Sequence, residues 1–136
     1  MKTLYLVRHS KASMHAETDF ERTLTVEGKR IAEVMANAFV QEISTDETLP
    51  RPTSLLVSPA RRTFTTSFSF AKALDFESKN IETNDELFHA TFARFWEIIE
   101  ELDDAHQSIM IVAHNPSISQ VANHLLDSYN IMFSPG

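Results

Sequence analysis

Cysteine is absent from this chain of 136 residues, and glycine occurs at only two positions, Gly28 and Gly136. The lack of cysteine excludes disulfides, thiolate metal sites and cysteine nucleophiles. The scarcity of glycine excludes a glycine-rich phosphate loop and the glycine fingerprint of dinucleotide-binding proteins. An anion site in this chain would therefore be built from side chains and helix N-termini.

Long apolar stretches are also lacking. No apolar run has the length of a membrane span, and the N-terminal sequence MKTLYLVRHS has no signal-peptide pattern. We therefore expect a cytoplasmic protein with no membrane partner. The length predicts one domain over residues 1–136. The net charge of −7 argues against nucleic acid as a partner.

Acidic residues are missing from three separate windows, residues 1–16, 48–74 and 105–126. These windows carry lysines, arginines and histidines, whereas acids are concentrated in residues 75–104. One interpretation is that the protein keeps one pocket positive. The alternative is that two of the windows are mostly buried strands, which would lack acids in any case.

Apolar strands alternate with helices along the chain. The patterns predict strands over residues 3–7, 54–58, 80–84 and 108–114, and helices over about 25–43, 59–74, 91–102 and 115–126. Pro59 is expected in the first turn of the second helix, and Asn115 and Pro116 are expected to start the fourth. This order predicts an α/β fold, with a mostly parallel central sheet covered by helices on both faces.

Cationic and imidazole side chains follow three of the predicted strands. In parallel sheets, ligands bind beyond the carboxyl ends of the strands. The polar residues at these ends are Arg8, His9, Ser58, Arg61, Arg62, His114 and Asn115. Such a cluster suits a tetrahedral oxyanion, above all phosphate. Phosphate removal requires a nucleophile or a metal, and the sequence has neither cysteine nor a close set of metal ligands. Histidine is the nucleophile that remains.

The segments LVRHSKA, DFERTLTVEGKRIAE, VSPARRTFTT and IVAHNPSIS occur in that order over nearly the whole chain. Together they resemble the histidine phosphatase superfamily, and most closely its small, single-domain phosphohistidine phosphatases. The resemblance implies a phosphoglycerate mutase-like fold, a three-layer α/β/α sandwich. It also implies that His9 is the nucleophile and that Arg8, Arg62 and His114 bind the phosphoryl group.

Further site residues follow from the same resemblance. Glu86 lies roughly where the superfamily often supplies a proton donor, although a solvated acid at a strand end is the alternative interpretation. Ser58 and Asn115 are candidate substrate-binding residues. Asp19 and Arg22 fit the family pattern, and we expect them to structure a loop.

The expected function is that of a metal-independent phosphatase that forms a phosphohistidine intermediate and requires no cofactor. Its substrate would be phosphohistidine in a signalling or phosphotransfer protein. Two alternatives stay open, a phosphatase of small phosphate esters and a non-hydrolytic phosphate-binding or phosphocarrier module. The expected partner is accordingly a phosphorylated protein or a small phosphorylated molecule. Relatives usually continue into one or two strands beyond NIMFSPG, so the chain is either short or a fragment that lacks C-terminal strands.

Overall fold

The computed structural model describes residues 2–128. Residues 129–136, on which the expectation about further C-terminal strands depends, lie outside the described residues. The strands are β1 (Thr3–Arg8), β2 (Ser54–Val57), β3 (Glu82–Thr83) and β4 (Ser108–Ala113). The helices are α1 (Val26–Thr45), α2 (Arg61–Ala73), α3 (Phe92–Glu100) and α4 (Ser117–Ser128), and 3-10 turns cover Ser78–Asn80 and Asp85–Leu87.

The four described strands form one parallel sheet in the order β1-β4-β2-β3. Every residue of β4 is buried, because this strand has a neighbour on each side and a helical layer on each face. Its register places Val112 beside Val7 of β1 and beside Val57 of β2. The three strands therefore end at nearly the same level.

Alternate side chains of β4 point into two separate cores, as the pleat of a strand requires. Ile109 and Ile111 pack with residues of α3 and α4. Met110 and Val112 pack with residues of α1 and α2. The sheet is thus the middle of three layers, which confirms the predicted α/β/α sandwich.

Two helices begin later than the sequence predicts. The second begins at Arg61 rather than at Pro59, with Ala60 as its N-cap residue. The fourth begins at Ser117 rather than at Pro116, and the Asn115 side chain accepts a hydrogen bond from Ser119. A few residues of turn therefore separate each strand end from the helix that follows, and this leaves room for a site.

No helix within residues 2–128 is long and apolar enough to cross a membrane.

Candidate active site

The carboxyl ends of β1, β4 and β2 lie side by side and bring together residues from distant parts of the sequence. Arg8, the last residue of β1, pairs in register with Ala113, the last residue of β4. The backbone N–H of His9 donates to the Ala113 carbonyl over 3.2 Å. His114 follows Ala113, and Ser58 follows β2. Because these strands are neighbours, His9, His114 and Ser58 meet at one rim of the sheet.

His9 is half-buried, and its ring has a defined tautomer. Its Nδ1 lies 2.7 Å from the backbone carbonyl oxygen of Ser10. A carbonyl oxygen only accepts hydrogen bonds, so Nδ1 carries the hydrogen and Nε2 keeps its lone pair. Burial lowers the pKa of His9, and the positive charges of Arg62 and Arg8 lower it further, against the raising effect of the Ser10 hydrogen bond. The lowered pKa favours the neutral imidazole of His9, and its Nε2 has no hydrogen-bond partner within residues 2–128.

The loop that supplies this carbonyl is fixed against α1 and α2. The Ser10 hydroxyl donates to the carbonyl of Gly28 over 2.7 Å, and the Ser10 N–H donates to the Thr66 hydroxyl over 3.1 Å. A Cβ atom on Gly28 would lie only 2.0 Å from the carbonyl oxygen of Lys11. Glycine is thus required at position 28 for the loop to approach α1 closely, which holds the His9 ring in place.

His114 is buried beside His9, with 5.5 Å between the two ring centroids. Its Nε2 lies 2.7 Å from the Ser58 hydroxyl oxygen, and Ser58 is fully buried. Burial lowers the pKa of His114 to about 3, and the nearby charges of Arg62 and His9 act in the same direction. His114 is therefore neutral across the physiological range.

The hydrogen-bond partners of Ser58 and His114 indicate which ring nitrogen of His114 carries the hydrogen. The Ser58 oxygen accepts weakly from the Ala60 N–H over 3.5 Å, and among the contacts within residues 2–128 its own hydrogen has only the His114 nitrogen to reach. In either tautomer one buried donor lacks a partner, the Ser58 hydroxyl or the His114 Nδ1–H; we assign the Ser58 hydrogen to Nε2, because a bound anion would then accept from the Nδ1–H. The hydrogen of the His114 ring then resides on Nδ1.

Arg62 is held by Asp19. Its Nη1 donates to the Asp19 backbone carbonyl over 2.6 Å, and its Nη2 donates to Asp19 Oδ2 over 3.0 Å. The other carboxylate oxygen accepts from Arg22 over 3.0 Å. Burial alone would raise the pKa of Asp19, but the hydrogen bonds from Arg22 and Arg62 outweigh it and lower that pKa. Asp19 therefore does more than structure its own loop, because it orients a buried arginine.

Two buried side-chain nitrogens lack a hydrogen-bond partner within residues 2–128, Arg62 Nε and His114 Nδ1. Both carry hydrogens, and both residues are more than nine-tenths buried. Buried donors normally have partners. Both residues are neighbours of His9, since the His114 and His9 ring centroids are 5.5 Å apart and the Arg62 charge lowers the pKa of His9, so an oxyanion bound among these residues would find two donors without another partner.

The remaining predicted site residues lie further out. Arg8 is exposed at the end of β1, from where its charge still lowers the pKa of His9. Asn115 is exposed and bound to Ser119. Glu86 pairs with Arg94 of α3 and has 56% of its side chain exposed. The assignment of Glu86 as a proton donor stays a prediction.

Phe88 and His89 were not expected at the site. The Phe88 ring lies 5.7 Å from the His114 ring and 5.9 Å from the Arg62 guanidinium carbon. His89 Nε2 lies 3.2 Å from Asp19 Oδ2. Both residues lie in the acid-rich stretch 75–104, from which the sequence suggested only Glu86 as a site residue.

One carboxylate lies within the cationic cluster. Asp19 lies outside the acid-free windows, yet its carboxylate contacts Arg62 and Arg22 within the cationic cluster. The cluster therefore contains one carboxylate that organises the arginines. Within residues 2–128, no three His, Asp or Glu side chains lie close enough together to hold a metal ion.

Comparisons with known proteins show which solved structures this chain resembles. No protein-family model and no curated protein matches the sequence. Among solved structures, one designated phosphohistidine phosphatase SixA, from Agrobacterium tumefaciens, shares 28% identity with a TM-score of 0.78, over 93% of this chain and 78% of that one. The chain is therefore similar in structure to members of the histidine phosphatase superfamily.

Two further structures show how widely this fold is used. A protein histidine phosphatase SixA complexed with tungstate has 22% identity and a TM-score of 0.74, over 90% of this chain and 75% of that one. A mycobacterial glucosyl-3-phosphoglycerate phosphatase has 13% identity and a TM-score of 0.63, over 91% of this chain and 79% of that one. The phosphoglycerate mutase-like fold is thereby confirmed, and the similarity to the 28% identical structure supports phosphatase activity.

Proposed function

We propose that this histidine phosphatase removes phosphoryl groups from phosphohistidine in proteins, through a covalent intermediate on His9. The observation that carries the proposal is the state of the His9 ring. Its Nδ1 hydrogen is committed to the Ser10 carbonyl, so Nε2 is left as a free lone pair. Two buried donors without a partner in residues 2–128 belong to Arg62 and to His114, whose ring centroid is 5.5 Å from that of His9.

In the proposed reaction, His9 Nε2 attacks phosphorus in line with the leaving group. The new P–N bond forms as the bond to the leaving group breaks, which yields phosphorylated His9. Arg62 Nε and His114 Nδ1 donate to the non-bridging oxygens, whose charge requires stabilisation in the transition state. Arg8 adds positive charge at the rim. Water then attacks phosphorus and releases inorganic phosphate and neutral His9.

Ser58 supports this reaction without contact with the substrate. Its side chain is fully buried, and its hydroxyl fixes the hydrogen of His114 on Nδ1. We therefore assign it the positioning of His114 in place of the substrate-binding role expected from the sequence.

The substrate class follows from the relatives and from the leaving group. The structures with the two highest TM-scores given above are designated phosphohistidine or protein histidine phosphatases. Phosphorylated imidazole leaves more easily than an alkoxide, so a strongly acidic donor is less necessary. This agrees with the engagement of Glu86 by Arg94. We therefore expect a phosphorylated protein as the partner.

The first test is hydrolysis of a histidine-phosphorylated protein and of a simple alkyl phosphate, by wild type and by His9→Ala. We expect His9→Ala to lower turnover of the phosphoprotein by at least about four orders of magnitude, because the covalent route is lost. His106→Ala is the matched control, since His106 contacts Thr53, which precedes β2 at the opposite end of the sheet. Wild type should turn over the alkyl phosphate slowly.

Three outcomes would contradict the proposal. Faster turnover of the alkyl phosphate would indicate a phosphatase of small esters. Stable phosphorylation of His9 without release of phosphate would indicate a phosphocarrier. Equal activity of wild type and His9→Ala would show that His9 is not the nucleophile.

A further inference from the structure

His89 lies at the mouth of the site and shares an acceptor with the buried arginine. Its Nε2 is 3.2 Å from Asp19 Oδ2, and the same oxygen accepts from Arg62 Nη2 over 3.0 Å. The imidazole of His89 is therefore next to the group that we expect to hold the phosphoryl oxygens. With 67% of its side chain exposed, it also faces the solvent from which substrate arrives.

The backbone and the neighbouring ring direct His89 to this position. Its φ angle is +58°, in the left-handed region that non-glycine residues seldom occupy. Residues persist in such conformations where the surrounding structure imposes them. Phe88 packs against the His89 ring at a centroid distance of 4.0 Å and also contacts His114 and Arg62. The Phe88–His89 pair thus packs against residues of the candidate site.

We propose that His89 is a further catalytic residue, which protonates the departing imidazole and then takes a proton from the attacking water. This inference rests on the proposed function. It assigns the proton-transfer role to His89 in place of Glu86, which lies three residues earlier and is bound by Arg94.

Protons are conserved over the two steps of the proposed reaction. In the first step His9 Nε2 bonds to phosphorus, the P–N bond of the substrate breaks, and its electron pair stays on the substrate ring. The His89 imidazolium donates its proton to that ring, which departs as neutral histidine. In the second step water attacks phosphorus, the P–N bond to His9 breaks, and the water proton passes to neutral His89. His89 therefore ends the cycle as it began.

The charges around His89 suit this role. The Asp19 carboxylate faces its Nε2 at 3.2 Å, and Arg62 and Arg22 bind that same carboxylate. Its own segment adds the acids Asp85 and Glu86. Without a proton, the nitrogen that loses phosphorus would leave as an anionic imidazolate, so a proton donated as the P–N bond breaks assists its departure.

The test compares two small substrates that differ in their need for a proton, phosphoimidazole and 4-nitrophenyl phosphate. Nitrophenolate leaves without protonation, and both substrates are too small to depend on protein docking. The variant His89→Asn tolerates the left-handed backbone and keeps an N–H donor for Asp19, but it cannot titrate. The quantity measured is kcat/KM, which reports phosphoryl transfer to His9 and not the later hydrolysis.

We expect His89→Asn to lower kcat/KM for phosphoimidazole by about a hundredfold, the lower range for a general acid, and to leave 4-nitrophenyl phosphate within about threefold of wild type. Equal loss on both substrates, or no loss on either, would show that His89 is structural and would overturn the inference. Glu86→Gln is the matched variant. A selective loss in Glu86→Gln and not in His89→Asn would assign the role to Glu86.

Failure of the proposed function is distinguishable in the same experiment. If wild type hydrolyses neither substrate, the phosphatase proposal fails and the inference fails with it. If wild type is active and depends on His9, but His89→Asn does not discriminate between the substrates, only the inference fails.

Discussion

The two histidines at the rim of the sheet carry their hydrogen on the same nitrogen but present opposite ends to the site. His9 Nδ1 is tied to a backbone carbonyl, so its free end is a lone pair on Nε2. His114 Nε2 is tied to the Ser58 hydroxyl, so its free end is the Nδ1 hydrogen. His9 therefore offers a lone pair, as a nucleophile does, and His114 offers a hydrogen-bond donor.

This difference shows that the hydrogen-bond partner of one ring nitrogen determines what the other nitrogen of the same ring can do. Both histidines follow parallel strands directly, and both have a lowered pKa. Neither residue type nor charge distinguishes them. An acceptor at Nδ1 frees the nucleophile in one ring, and a donor at Nε2 prepares the other to bind an oxyanion.

Removal of the His114 ring should change the difference between the two histidines most. We expect His114→Ala to lower kcat by about a hundred- to a thousandfold, the usual cost of losing one preorganised donor to a developing negative charge. Rapid quenching of the reaction with labelled substrate should still trap a phosphoenzyme in His114→Ala, but none in His9→Ala. A label that persists in His9→Ala and vanishes in His114→Ala would invert the two roles.

Removal of the Ser58 hydroxyl should reduce the difference between His9 and His114 while both rings stay in place. We expect Ser58→Ala to lower kcat/KM by about tenfold, the cost of roughly one neutral hydrogen bond, because His114 then loses its preference for the Nδ1 hydrogen. Imidazole ¹⁵N chemical shifts should show a tautomer change in His114 and none in His9. Unchanged shifts for His114 would contradict the assignment of the Ser58 hydrogen.

Acid should affect stability through the buried ring. The pKa of His114 is about 3 in the folded protein and about 6.5 when unfolded, so between these values only the unfolded chain binds the proton. The free energy of unfolding should then fall with decreasing pH, at a limiting slope of about 1.4 kcal/mol per pH unit from this residue. Denaturant titrations of wild type and His114→Gln from pH 6 to pH 4, without phosphate, measure the difference. Parallel curves would contradict a neutral, buried His114.

The strand ends could be predicted from the sequence, because each apolar run gives way to recognisable polar residues. His9, Ser58 and His114 directly follow parallel strands, and Arg62 lies in the first turn of the helix after β2, while the roles of these residues stay predictions. The side-chain contacts were harder to predict. Ser58 was expected to bind substrate, but its buried hydroxyl meets His114, a residue 56 positions away that no local pattern connects to it.

Asp19 and His89 show a second limit of the sequence. Asp19 reaches Arg62 across 43 positions, and His89 reaches Asp19 from a different loop. Their contacts arise from how two loops pack at the rim, and loop packing leaves no periodic signal. The helix starts at Arg61 and Ser117 illustrate the same point, since proline was expected inside each first turn and lies before the helix instead.

The pairing of β1 with β4 has a consequence for synthesis. These strands are neighbours although their first paired residues are Thr3 and Ser108, and β4 inserts between β1 and β2. Contacts so distant in sequence form only after the intervening chain exists. While the ribosome is still extending the protein, His9 is already made but has neither His114 nor the Ala113 carbonyl beside it. The residues of the candidate site therefore come together only when β4 has taken its place between β1 and β2.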